Sequence, residues 1–195
     1  MADYSILYSY FEHINRKPLM EEEREEITRF FRKSTFRKKT MIMKAGEANT
    51  LHYYIEKGLL RMYIIDQSGK EFNILFARER QWIGDLGTPA ETPYFIETLE
   101  NSTVYSISED NFHILYKRYI SLANYIRKSY VFLQKRFVSI LSKTAEENYE
   151  ELVNEHPELI QRLPQYQISS YLGVTPVFLS KILAKRSKKT KKYFS

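Results

Sequence analysis

The stretch LPQYQISSYLGVTPVFLSKILAK, residues 163–185, has the pattern of two short helices joined by a tight turn. Ile168 and Leu172 are four residues apart, so they lie on one face of the first helix. Gly173 follows directly, and glycine readily adopts the left-handed conformation that ends a helix. The spacing therefore predicts a first helix that ends at Gly173.

A second helix is predicted directly after this turn. Thr175 can cap it, and Pro176 can occupy its first position, where the missing N–H costs nothing. Val174, Leu179 and Ile182 can pack inward, which leaves the opposite face open. This arrangement is a helix-turn-helix, whose second helix enters the major groove of DNA.

The outward side chains of this motif are the candidate DNA contacts. Lys181 can donate to guanine O6 and N7, although as a point donor rather than a fork. Val177 and Phe178 can touch thymine methyl groups, and the hydroxyl and amide side chains can bond phosphates. The predicted DNA-binding residues are Gln165, Gln167, Thr175, Pro176, Val177, Phe178, Ser180, Lys181, Lys185 and Arg186.

Positive charge is concentrated at this end of the chain. Residues 161–195 contain eight Lys or Arg and no Asp or Glu, although the whole chain has a net charge of only +6. A basic end beside a near-neutral body is typical of a nucleic-acid-binding module, and a solvated basic tail is the alternative. The residues after Lys185 are too few and too charged for a packed β hairpin, so we expect them to contact phosphates.

The bulk composition excludes several classes of protein. The 195 residues are 43% hydrophobic and 28% charged, which is typical of one or two globular domains. Without cysteine there can be no disulfide, thiolate zinc site, iron–sulfur cluster or cysteine nucleophile. With no membrane-length apolar run and no signal-peptide core, a cytoplasmic protein is expected. We expect no metal and no cofactor.

The first half of the chain changes its periodicity from helical to alternating. Residues 1–35 are predicted to be helical, and EEEREEITRFFRK places Ile27, Phe30 and Phe31 on one side of a helix. From residue 36, short runs rich in Tyr, Ile, Phe and Val are bounded by turn residues, for example at 66–69. About eight such strands predict a jelly-roll-like double sheet.

A long helical region follows the strands. Ser108 can cap it, and it runs to about Asn154 with a break expected near residues 117–121. A seam at close to heptad spacing predicts a parallel homodimer helix, unless this helix packs only on its own β domain. The seam residues are Leu122, Ile126, Ser129, Leu133, Phe137, Ile140 and Thr144. The predicted domains are 1–140 and 141–195.

The order β roll, long helix and C-terminal helix-turn-helix resembles the Crp/Fnr family of bacterial transcription regulators over almost the whole chain. The resemblance lies in KAGE (44–47), YYIEKGLLRMYIIDQSGKE (53–71), WIGD (82–85), IETLENSTVYSIS (96–108) and AEENYEELVNEHPELIQRLPQYQISSYLGVTP (145–176). It implies an α+β fold: a double-stranded β-helix, or jelly-roll, domain like those that bind cyclic nucleotides, a dimerisation helix and a DNA-binding unit. It also implies that a ligand in the roll adjusts the two recognition helices of a homodimer.

The loop that would hold a cyclic nucleotide departs from the family pattern. Gly84 and Asp85 match its start, but Tyr94 and Phe95 stand where the phosphate-binding Arg would fall, and residues 86–101 contain no Arg or Lys. A buried phosphate without a cation would cost several kcal/mol, so cyclic nucleotide binding is not expected. An unknown small-molecule effector could instead occupy a pocket lined by Trp82, Gly84, Asp85, Tyr94 and Phe95, unless these aromatics are simply core.

The recognition helix also departs from the family pattern. Of the positions that resemble the family's reading residues, Pro176, Val177 and Lys181, only Lys181 keeps the chemistry. The usual family half-site is therefore not expected. His13, His52 and His113 are the candidates for a haem ligand before the DNA module, and each is better interpreted as a core or surface histidine.

Two other classes of function fit the sequence less well than DNA binding. Residues 36–108 contain one histidine, and no phosphate loop or nucleophile motif stands out, so an enzyme is not predicted. A ligand-binding module that regulates a protein partner without touching DNA is the alternative. The basic helix-turn-helix end favours a homodimeric DNA-binding transcription regulator.

Overall fold

The structure, a computed structural model, describes residues 3–48, 50–87 and 91–193. Its strands are β1 (Phe31–Phe36), β2 (Met41–Met43), β3 (Leu51–Lys57), β4 (Leu60–Ile65), β5 (Glu71–Ala77), β6 (Trp82–Ile83), β7 (Phe95–Thr98) and β8 (Ser102–Ser108). Its helices are α1 (Ser5–Asn15), α2 (Glu21–Phe30), α3 (Glu109–Arg118), α4 (Ile120–Ser142), α5 (Ala145–Glu155), α6 (Pro157–Arg162), α7 (Gln165–Tyr171) and α8 (Pro176–Tyr193).

The chain forms two compact units. The first contains residues 1–64 and 74–130, and the second contains residues 65–73 and 131–195. The predicted boundary at residue 140 therefore lies inside the second unit. The second unit also includes a segment, residues 65–73, that is distant in sequence from the rest of it.

Two antiparallel four-stranded sheets form the β roll, in the orders β1-β8-β3-β6 and β2-β7-β4-β5. This confirms the predicted jelly-roll double sheet. Apolar side chains from both sheets, including Ile55, Leu60, Ile96 and Val104, fill the space between them. Their burial is the main source of stability for the roll.

The helix predicted over EEEREEITRFFRK is shorter than expected. α2 ends at Phe30, and Phe31 is extended (φ −104°, ψ 141°) and pairs with Ile107 of β8. The prediction that Phe31 lies on the helix is therefore wrong, because Phe31 is the first residue of β1 and pairs with β8. Phe31 is still buried, in a second core cluster formed with α1, α2, α3 and the start of α4.

The long helical region is broken twice. Ser108 caps α3 by accepting a hydrogen bond from the Asn111 N–H, as predicted, and the first break falls at Tyr119. The second break was not predicted: α4 ends at Ser142, and Thr144 starts α5 with a capping box to Glu147. Thr144 is therefore a cap and not part of the α4 seam. The Thr-x-x-Glu spacing is the signature that would have revealed it.

Helices α5 to α8 build the core of the second unit. Its buried apolar side chains come from all four helices, and include Leu152, Leu159, Ile168, Leu179 and Ile182. α6 begins with Pro157 at its first position, where proline costs no hydrogen bond. Across the described residues, every helix is too short or too polar to cross a membrane.

Candidate nucleic-acid interface

The turn between α7 and α8 has the geometry that the sequence predicted. Gly173 is left-handed, with φ of 71°. The N–H of Val174 donates to the carbonyl of Ser169 at 3.0 Å, and the N–H of Gly173 donates to that of Ser170 at 3.2 Å. These two bonds make a Schellman motif, which satisfies the last carbonyls of α7 and turns the chain sharply into α8.

α8 also begins as predicted. Pro176 is its first residue, and the hydroxyl of Thr175 accepts a hydrogen bond from the N–H of Phe178 at 3.2 Å. Leu179 and Ile182 are buried on the inner side of the helix. The opposite side of α8 is left open to solvent.

Two large apolar side chains dominate the open side of α8 at its start. Val177 is 69% exposed and Phe178 is 49% exposed. The hydroxyl of Ser180 donates to the carbonyl of Pro176 at 3.0 Å, within the helix. Lys181 is exposed and has no ion-pair partner in the described part of the chain. The start of α8 thus presents two large apolar groups beside one available cation.

Gln165 and Gln167 are placed differently from each other. Gln165 opens α7 and is exposed, so it remains available for a phosphate contact. Gln167 is 2% exposed, and its side-chain oxygen accepts a hydrogen bond from Asn73 Nδ2 at 2.6 Å. The prediction that Gln167 contacts DNA is contradicted, because its amide faces the interior of the unit.

The remaining predicted contacts follow along α8. Lys185 Nζ lies 2.7 Å from Glu146 Oε2, and the Arg186 guanidinium lies 5.6 Å from the centre of the Tyr149 ring. The helix continues through the lysine-rich end to Tyr193, a helical extension that the sequence did not predict. The side chains of residues 188–195 lie outside the described ones.

Residues 65–73 hold α7 through a network that sequence reasoning missed. Asn73 donates both to the Gln167 side chain and to the Gln167 carbonyl, the latter at 3.0 Å. Ser170 donates through its hydroxyl to the Glu71 carbonyl at 2.8 Å and accepts from the Asn73 N–H at 3.1 Å. The partners are more than 90 residues apart, and no short-range sequence signal reveals such a pairing.

Arg136 of α4 completes this network. Its guanidinium donates to the Tyr171 carbonyl at 2.6 Å and to the Asn73 carbonyl at 3.3 Å, and lies 3.5 Å from the centre of the Tyr171 ring. Burial lowers the pKa of Arg136, but a guanidinium remains charged at neutral pH. It therefore gives one charge-assisted hydrogen bond to the last residue of α7 and one to the last residue of the segment 65–73.

The predicted effector-pocket residues do not form one group. Trp82 lies in the aromatic core cluster with Phe112, whereas Tyr94 packs on the cluster between the sheets. Phe95 stacks on Tyr63, with 5.1 Å between ring centres. Trp82 is therefore a core residue. It does not share a pocket with Tyr94, which belongs to the other cluster.

Gly84 and Asp85 serve the local structure of the roll. A Cβ on Gly84 would lie 2.7 Å from His52 Nδ1, so the backbone needs a glycine there. The Asp85 carboxylate accepts hydrogen bonds from the Gly87 N–H and the Thr92 hydroxyl, each at 2.8 Å. These bonds shape the start of the loop.

Two charged clusters of the roll were not anticipated. Arg61 is 5% exposed, and its Nη2 lies 2.7 Å from Glu97 Oε2. Glu109 contacts both His52, which is buried, and His113, whose Nε2 lies 3.0 Å away. These contacts give His52 and His113 a structural role as partners of a carboxylate.

The predicted seam of α4 divides into a buried and an exposed part. Leu122 is fully buried in the first unit, while Ile126 and Ser129 are half-buried. Farther along, Leu133, Phe137 and Ile140 are exposed, and Phe137 is 63% exposed. Val138 and Leu141 extend this apolar surface.

Comparison with known proteins assigns the fold. Residues 33–119 match the family model of the cyclic nucleotide-binding domain. FixK2 from Bradyrhizobium japonicum is similar over 82% of this chain and 86% of its own, with 17% identity and a TM-score of 0.68. A double mutant of CooA from Carboxydothermus hydrogenoformans is similar over 91% of this chain and 84% of its own, with 18% identity and a TM-score of 0.71.

A third similar structure carries the family name. It is a protein from Eubacterium rectale assigned to the crp/fnr family of transcriptional regulators, with 16% identity, a TM-score of 0.69 and coverage of 93% of this chain and 88% of its own. No curated protein sequence matches the chain. The chain thus contains a domain of the cyclic nucleotide-binding type. Its fold as a whole is that of the Crp/Fnr regulators.

Proposed function

We propose that the protein is a homodimeric DNA-binding transcription regulator of the Crp/Fnr type. The observation that carries this proposal is the Schellman turn at Gly173, followed by α8, whose inner side is buried and whose outer side is open. A recognition helix needs both properties, since it must be fixed to its domain and still enter the major groove. The basic composition of residues 161–195 adds the attraction to phosphates.

Dimerisation is supported by the exposed part of α4. Leu133, Phe137, Ile140 and Leu141 recur at helical spacing and lie exposed on one side of the helix. A second copy of the same helix would bury this surface and present two recognition helices to successive major grooves.

We further propose that the roll does not bind a cyclic nucleotide. Residues 86–101 supply no cation, and the buried guanidinium of Arg61 is already paired with Glu97. A cyclic phosphate placed in the roll would therefore lack the cation that offsets its desolvation. The effector, if the roll takes one, is expected to be of different chemistry.

One experiment tests the proposal as a whole. The full chain is titrated, at low and at moderate salt, into fluorescent duplexes selected by the protein from a random pool, and binding is followed by anisotropy. We expect nanomolar to micromolar binding that weakens steeply with salt. Addition of cyclic AMP or cyclic GMP should leave the affinity unchanged. Absence of binding to every duplex at low salt would sink the proposal and favour action through a protein partner.

A further inference from the structure

The exposed start of α8 has an unusual chemical composition for a surface that meets a base edge. Residues 176–183 read PVFLSKIL, and contain none of the Arg, Asn, Gln, Asp or Glu side chains that form paired hydrogen bonds with bases. Val177 and Phe178 dominate the surface instead, at 69% and 49% exposure. These two side chains remain in water although Leu179 beside them is fully buried.

The hydroxyl groups of the same turns make hydrogen bonds within the helix itself. The Thr175 hydroxyl oxygen accepts a hydrogen bond from the Phe178 N–H, and the Ser180 hydroxyl donates its single proton to the Pro176 carbonyl. Both contacts are local, so they need no partner outside α8. Among the described side chains of this surface, Lys181 is the strong donor left for a base or a phosphate.

An apolar surface in the major groove has a specific complement. Thymine carries a C5-methyl group there, whereas unmodified G·C pairs present only hydrogen-bonding atoms and a C–H edge. Placing Val177 or Phe178 against a G·C pair would strip water from polar atoms without replacing their hydrogen bonds. Placing them against thymine buries the thymine methyl group against an apolar side chain.

We propose that Val177 and Phe178 select DNA by contact with thymine C5-methyl groups, with Lys181 supplying one donor beside them. This rests on the proposed function, since it assumes that α8 enters the major groove. It assigns the target as half-sites in which A·T pairs lie opposite the start of α8. It makes Val177 and Phe178 the specificity-determining residues.

Deoxyuridine provides a test that changes only the methyl group. A duplex enriched by the protein from a random pool is resynthesised with deoxyuridine in place of each thymine in turn, which keeps the hydrogen-bonding edge and removes the methyl. At contacted positions the affinity should fall about fourfold, which corresponds to the ~0.8 kcal/mol of one buried CH2 group. At other positions it should be unchanged.

Three variants connect this effect to the side chains. Val177→Ala and Phe178→Ala should each reduce the thymine-to-deoxyuridine affinity ratio toward one at their own positions. Lys181→Gln should weaken binding to both duplexes and keep the ratio. All three side chains are exposed, so the fold should survive, and circular dichroism checks this.

The outcomes separate the two proposals. Tight, salt-dependent binding with equal affinity for thymine and deoxyuridine duplexes would overturn methyl recognition and leave DNA binding intact. A ratio that persists in the Val177→Ala, Phe178→Ala double variant would also overturn it. Failure to enrich any duplex would overturn both proposals together.

Discussion

Gln165 and Gln167 lie two residues apart on α7, yet the structure assigns them different tasks. Gln167→Ala removes the side-chain partner of Asn73 Nδ2 inside the second unit, and should lower stability by about 1–3 kcal/mol. Gln165→Ala alters an exposed side chain, and should leave stability unchanged while weakening DNA binding. Urea denaturation and anisotropy measure the two effects. Equal losses of stability in both variants would contradict this assignment.

Gly58 and Gly46 form a matched pair in the first unit. Both are left-handed, with φ of 109° and 84°. A Cβ on Gly58 would lie 2.8 Å from the Cα of Ser102, whereas a Cβ on Gly46 meets no atom within 4 Å. Gly58→Ala should therefore cost about 2–4 kcal/mol, through backbone strain and overpacking. Gly46→Ala should cost only about 1–2 kcal/mol.

Urea denaturation of the Gly58→Ala and Gly46→Ala variants measures these two losses of stability. The difference between them isolates the close approach of β8 from the shared strain of a left-handed alanine. If both variants lose the same stability, the backbone around Gly58 relaxes and the close approach to Ser102 has no energetic weight.

The residues of the candidate interface were predictable wherever the signal is local. Gly173, Thr175 and Pro176 act within a few positions of themselves, so their roles can be seen in the sequence. Gln167 was misassigned because its partner, Asn73, is 94 residues away. A polar residue near a helix start looks the same in sequence whether it faces solvent or a distant segment.

At the scale of elements, α4 offers the most direct test of the homodimer. Phe137→Glu places a charge in the exposed apolar surface, and should weaken dimerisation by roughly 100-fold because an unpaired buried carboxylate costs several kcal/mol. Sedimentation equilibrium measures the dissociation constant. DNA affinity should fall with it, since a monomer contacts one half-site only.

Lys128→Glu is the matched control for this change. Lys128 precedes Phe137 by nine residues, which is about 2.5 helical turns and so faces the opposite side of α4. Its side chain is exposed, and the substitution should leave the association constant unchanged. A Phe137→Glu protein that dimerises as tightly as the original would rule out this surface as the interface.

The basic end of α8 can be tested through the salt dependence of binding. If the lysines bind phosphates, replacing Lys188, Lys189, Lys191 and Lys192 by Gln should reduce the slope of log K against log salt. The expected reduction is about 0.9 for each phosphate that the variant no longer neutralises. Affinity should fall by a similar factor for all duplex sequences, because phosphates carry no sequence information.

A second variant controls for net charge. Replacing four lysines of the first unit by Gln, at Lys38, Lys39, Lys44 and Lys57, removes the same charge from a chain of net charge +6. If the two variants have the same slope, the end of α8 acts only through overall charge and does not touch the DNA.

Elements were predicted well where hydrophobic period and caps agree. The two-sheet roll, the cap at Ser108 and the break before α4 all appear in the structure. The end of α2 was missed because an apolar residue at position 31 fits the buried face of a helix and that of a strand equally well. The extension of α8 to Tyr193 was missed because a run of lysines is also typical of a solvated tail.

For the molecule as a whole, four buried or half-buried tyrosines predict alkaline unfolding. Burial raises the pKa of Tyr53, Tyr119 and Tyr125 to about 12, and also raises that of Tyr54. In the unfolded chain these phenols titrate near their ordinary value of about 10, so the folded state binds more protons between pH 10 and 12. Their contribution to stability is complete below about pH 10 and is lost as the pH rises toward 12.

Denaturant unfolding at a series of alkaline pH values, with tyrosinate absorbance followed in parallel, measures this. Tyr125→Phe removes one such group and should shift the alkaline midpoint upward. Ionisation of all sixteen tyrosines near pH 10 with the fold retained would contradict the prediction.

The second unit is built from two separated segments, residues 65–73 and 131–195, and this limits how its gene can be divided. A fragment encoding residues 131–195 alone would leave Gln167, Ser170 and Arg136 without partners at positions 71 and 73. The unit that carries the proposed recognition helix is therefore not one contiguous segment of the chain. Recombination that exchanges C-terminal segments between proteins of this fold would yield a well-folded second unit only where the incoming α7 matches the resident residues 65–73, which ties the evolution of the two segments together.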